Sequence, residues 1–172
     1  MPSRFALILL VLAVILPATS TATAASDPPA SPAAVASPPP TPESFLGHPV
    51  GADRKLADYG QIVRYFEALA RSSDRVMLDT LGRSTLGRPL VMAVVSSAAN
   101  LRQADRWPKI TRQLADPRGI TPDAADVLIA QGKVVLLVTC SIHSTEIGAS
   151  QMSMEWAHAL ATSTDPKVQR WL

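Results

Sequence analysis

Residues 133–148 read K-V-V-L-L-V-T-C-S-I-H-S-T-E-I-G, and no other stretch constrains the fold as much. Val134 to Val138 follow one another without a polar interruption. A run with no alternation leaves no solvated face, so it predicts a strand buried on both sides, as inside a parallel sheet. In open α/β sheets, ligands gather beyond the carboxyl ends of such strands. His143 and Glu146 stand at that point, His143 leaving the strand and Glu146 opening the helix that follows.

An imidazole and a carboxylate three positions apart across a strand-to-helix turn can both be aimed at one spot in the crevice. Zinc in hydrolytic sites is commonly held by two imidazoles and one carboxylate at ~2.0 to 2.2 Å, with water in the open position. The ion lowers the pKa of that water from ~15.7 toward ~7 and polarises a carbonyl. His143 and Glu146 are therefore the candidate metal ligands. The plainer alternative is a surface pair in which Glu146 only favours a helix N-terminus. His158 lies twelve residues beyond Glu146 on the same expected helix, roughly 18 Å away at ~1.5 Å per residue, and cannot share an ion with it. Nothing directs His48 to the site, and Glu155 reads as a solvated helix residue. Cys140, the single cysteine, falls inside the expected strand and reads as a small buried packing group.

The order of elements follows from local signals. Asp58 caps a helix with Gln61 three residues on, and Tyr59, Ile62, Val63, Phe66, Leu69 and Ala70 form one apolar face, so this helix should cover a sheet. Val76 to Leu81 and Arg88 to Ser96 flank Gly82 and Gly87 and predict an antiparallel hairpin, with Arg83 and Arg88 as solvated turn residues. Trp107-Pro108 starts a short helix ending near Asp116-Pro117. Thr121-Pro122-Asp123 starts another, which Gly132 ends. After the His/Glu motif comes a helix whose core stripe is expected at Ala149, Met152, Ser153, Trp156, Ala157 and Leu160. The series predicts an α/β fold, a mixed β-sheet flanked by helices. Lys167 to Leu172 begin an amphipathic element that leaves the fold apparently truncated at its C-terminus.

Three segments carry a resemblance. S-I-H-S-T-E-I-G behind a strand-like run resembles the first metal-binding segment of the zinc carboxypeptidases related to carboxypeptidase A, itself a familiar His/His/Glu zinc enzyme. L-G-R-S-T-L-G-R-P-L (81–90) resembles that family's G-x-S-x-x-G-R hairpin, and A-D-Y-G-Q-I-V-R-Y-F-E-A-L-A (57–70) its opening helix. The resemblance covers roughly residues 56 to 172 and implies the N-terminal part of a zinc peptidase catalytic domain. It implies zinc held by His143 and Glu146, a peptide or protein substrate, and hydrolysis by metal-activated water. The family's third ligand, a His, and its general-base Glu lie further along than Leu172, so no catalytic residue is assigned here and the 172-residue chain alone is expected to be inactive. Thr145 stands where the family often carries Arg before the ligand Glu, which leaves substrate preference open.

Residues 1–25 carry the marks of a signal peptide: Arg4, a twelve-residue apolar core from Phe5 to Leu16, and Ala22-Thr23-Ala24 as the cleavage site. An exported protein, periplasmic or secreted, is expected, without a stable membrane span after cleavage. Residues 26–55 read as a Pro/Ala/Ser-rich linker and lead-in segment, with seven prolines between Ser26 and Pro42. Once Arg4 is removed the charge is near balance, and no basic stripe with interleaved aromatics is present, which argues against nucleic acid as a partner. Two other functions fit the sequence. One is a zinc amidohydrolase of the aspartoacylase or succinylglutamate desuccinylase type, which shares an H-x-x-E segment. The other is a non-catalytic exported remnant domain, which would leave apolar surface uncovered.

Overall fold

A computed structural model describes residues 37–172. The expected signal peptide and most of the proline-rich tract fall outside the described residues. Packing begins with a short helix, α1 (Pro42–Leu46), which is capped by the Thr41 hydroxyl and lies against both long helices of the domain.

Helix α2 (Tyr59–Ser72) starts where the sequence requires it. Asp58 accepts from the Gln61 amide at 2.8 Å while the Gln61 side chain accepts from the Asp58 amide at 2.8 Å, a reciprocal capping box. Its buried face is Ile62, Val63, Tyr65, Phe66 and Leu69. Tyr65 is the addition to the expected stripe: it is fully buried, lies edge-on to Phe45 and Phe66, and donates its hydroxyl to the Pro40 carbonyl at 3.2 Å. Tyr59, expected inside, lies at the margin and donates to the Pro89 carbonyl at 2.6 Å.

The hairpin forms as expected. β1 (Val76–Arg83) pairs antiparallel with β2 (Pro89–Val95), and a bulge between Thr80 and Gly82 leaves Leu81 without a partner. Gly87 takes φ 73° to close the loop, and Arg83 donates to its carbonyl at 2.7 Å. Arg83 is thus a brace for the turn, and Arg83 and Arg88 are both exposed. As expected, α2 covers this sheet: Val76, Leu78, Ala93 and Val95 pack with Ile62, Tyr65, Phe66 and Leu69 in one core.

Helices α3 (Ala98–Leu101), α4 (Arg106–Ala115) and α5 (Pro122–Gln131) follow, the last capped by Thr121 and ended by Gly132. Helices α6 (Ile147–Thr162) and α7 (Pro166–Trp171) complete the domain. Arg75 ties the end of α6 to the hairpin by donating to the Ser163 carbonyl at 2.8 Å. Ser97, Ser96 and Asn100 all donate to the Leu172 carbonyl.

Two expectations are corrected. The first concerns α6, whose inner face is Gln151, Ser153, Met154, Ala157 and Ala161, while Met152 and Trp156 are 44% and 40% exposed. The cause is a buried amide. Gln151 accepts from the Ala57 N–H at 3.0 Å and donates to the Ala57 carbonyl at 2.9 Å. Turning Met152 inward would break both bonds and leave buried polar groups unpaired, at a cost of about 1–3 kcal/mol each. Small Ala157 and Ala161 then let the helix approach α2 closely.

The second correction concerns the Lys133 strand. Among the described residues the sheet has only β1 and β2 and is antiparallel, not mixed. Residues 133–139 form no strand, with Val134 fully exposed and Leu136 78% exposed. A strand exists only through ladder partners, and none of the described backbone hydrogen bonds reaches this run. Cys140 is accordingly half-buried outside any strand, not packed within one. What stands is a set of helices with a small two-stranded sheet, consistent with an α/β zinc carboxypeptidase-like domain.

Candidate metal centre

The apolar run delivers the chain to a tight turn. Ser141 adopts φ 92°, a left-handed conformation that costs a non-glycine residue about 1–2 kcal/mol, and its hydroxyl donates to the His143 carbonyl at 2.8 Å. The same carbonyl accepts from the Glu146 amide at 3.1 Å. The turn therefore folds His143 and Glu146 back on each other, and Glu146 becomes the residue immediately ahead of α6.

The two side chains meet. His143 Nδ1 lies 2.8 Å from Glu146 Oε1, and the His143 backbone N–H donates to Oε2 at 3.3 Å. The His143 side chain, as hydrogen-bond donor, holds the Glu146 carboxyl below its ordinary range, with the His143 backbone N–H adding to the effect. A carboxylate only accepts, so Nδ1 carries the proton in this pairing. Both side chains are more than half exposed and open to solvent.

This arrangement fits one edge of a metal site. Two donors on a tetrahedral ion at ~2.0 to 2.1 Å stand about 3.3 Å apart, so opening the pair by roughly half an ångström and releasing the Nδ1 proton would admit a cation. The donor set, one imidazole and one carboxylate, suits zinc. Glu146 makes no side-chain cap of its own helix, and its oxygens are directed to His143 instead. The plain capping alternative is thereby disfavoured.

The described residues bring together no group of three or more His, Cys, Asp or Glu able to hold an ion. His48 turns its Nδ1 to the neighbouring Pro49 carbonyl at 3.0 Å. His158 is half-buried far along α6, and Glu155 is exposed. Sequence reasoning missed one feature beside the pair, a groove between residues 50–56 and the first turns of α6. No local pattern marks it, because it arises only when Gln151 docks the loop on the helix.

The sequence profile described as zinc carboxypeptidase matches residues 62–172. No curated protein and no solved structure matches the chain. The profile match spans the core helix, the hairpin and both candidate ligands, and the chain belongs to the zinc carboxypeptidase family.

Proposed function

We propose that the chain supplies the first metal-binding segment of an exported zinc-dependent metallocarboxypeptidase, a hydrolase acting on peptides or proteins. The observation that carries the reading is the 2.8 Å approach of His143 Nδ1 and Glu146 Oε1 at the start of α6, in a chain whose family is zinc-dependent. His143 and Glu146 are the proposed ligands. Zinc bound there would activate a water and polarise a substrate carbonyl. The protein's own contribution is positional: the Ser141 to Glu146 turn holds the imidazole and carboxylate together, and α6 anchors Glu146 to the core through Gln151.

With two donors from the described residues, the 172-residue chain is proposed to bind zinc weakly and to hydrolyse no peptide by itself. X-ray absorption at the zinc edge tests the ligand set. A first shell of nitrogen and oxygen with one imidazole is expected, and that imidazole should vanish in His143→Ala. A shell unchanged by that substitution would reject His143. Export is proposed from the 1–25 segment. Recovery of the protein from the exported fraction, starting after Ala24 or Ala25, is the expected result, and retention inside the cell would contradict it. No described helix is long and apolar enough to cross a membrane.

A further inference from the structure

The groove beside the metal pair has dimensions and chemistry of its own. Residues 50–56 and the first turns of α6 enclose about 690 Å³. On α6 it is lined at positions 147, 148, 151, 152 and 155, the spacing of one helical face, so it follows the helix from the residue after Glu146 for roughly 12 Å. An extended peptide advances ~3.3 Å per residue, and this length takes about three to four residues. Leu56, Ile147 and Met152 are apolar, line the groove and are all exposed. The bidentate Gln151 to Ala57 pairing fixes the loop to the helix before any ligand arrives, which limits the entropy lost on binding.

The charges add direction. Arg54 stands with Asp53 at 3.6 Å, whereas Lys55 forms no ion pair among the described residues. An apolar floor under an unpaired ammonium is complementary to a large apolar side chain next to an acidic group. Lys55 and Arg54 face Asp53 and Glu155 in the same lining, which gives a polyanion no continuous run of cations to follow.

We infer that this groove is a peptide subsite adjoining the metal pair, with Leu56, Ile147 and Met152 taking a large apolar side chain and Lys55 the acidic group beside it. The inference rests on the zinc peptidase reading above and adds the substrate class that this side of the site selects.

The test uses the full chain and fluorescein-labelled Ala-Ala-Leu-Glu, read by fluorescence anisotropy. Replacing Leu by Gly in the peptide should weaken binding about tenfold, the scale of a lost apolar pocket contact, and Met152→Ser or Leu56→Ser should reproduce much of that loss. Lys55→Glu should weaken binding by up to about fivefold, as for an exposed ion pair, and should restore it for Ala-Ala-Leu-Lys. All three positions are exposed, and unchanged circular dichroism melting verifies the fold. Equal binding of the Leu and Gly peptides, or variants that bind as wild type does, would overturn the inference. Zinc retention by His143→Ala is measured in parallel. Retained zinc with intact peptide discrimination would reject the ligand assignment alone, and lost zinc without peptide discrimination would reject the subsite alone.

Discussion

The α2 and hairpin region and the Lys133 to Glu146 segment are both rich in apolar residues, yet one is packed and the other is bare. In the first, Leu69 and Tyr65 are fully buried and every strand residue but Leu81 has a pairing partner. In the second, Val134 to Leu137 are each at least 75% exposed. The difference lies in how each obtains its hydrogen bonds. A capped helix satisfies its backbone internally, and a hairpin satisfies its own through a turn of a few residues. A strand of the parallel kind depends on neighbours distant in sequence, and the described residues supply none.

That contrast can be broken at its strong end first. Leu69→Ala should cost about 2–5 kcal/mol, as for other fully buried leucines, whereas Leu136→Ala should stay within about 0.5 kcal/mol. Urea unfolding of both variants measures this. A large loss at Leu136 would show that the 133–139 run is packed after all. Gln151→Met is next, at about 1–3 kcal/mol, because it leaves the Ala57 N–H and carbonyl buried without partners. A neutral result would remove the proposed reason for the orientation of α6. Asp58→Ala should cost about 1 kcal/mol through loss of the capping box, seen as a lower urea midpoint with unchanged slope.

The smallest effect concerns the metal pair. Glu146 has its carboxyl pKa depressed by His143, so the pairing favours the folded state above the ordinary Glu value of about 4.3 and is lost as pH falls through the depressed value. Because the group is fully exposed, this titration should leave the unfolding midpoint unmoved while the Glu146 side-chain NMR signal shifts below its usual range. A midpoint that follows that titration would show the pair to be structural.

Much of this was legible in sequence, and the failures have physical causes. Asp58 with Gln61, Thr121 with Pro122, and Gly82 with Gly87 act over a few residues, and each element they predict is present. The H-x-x-E spacing likewise sufficed to bring His143 and Glu146 into contact, because one turn sets their distance. Met152 and Trp156 were misplaced because α6 carries apolar residues around much of its circumference. Its rotation is decided by Gln151, a polar residue ninety-four positions from its partner Ala57, and no helical periodicity reports such a bond. Tyr65 was missed because its burial depends on the Pro40 carbonyl, which periodicity does not show. The groove lay beyond sequence reasoning for the same reason as α6.

The central claim is that His143 and Glu146 together hold zinc, and chelator-competition titration of the full chain tests it most directly. One zinc per chain is predicted, with affinity reduced by more than about tenfold in both His143→Ala and Glu146→Ala, since even outer-shell partners act on that scale. Equal affinity in the wild type and either variant would contradict the claim.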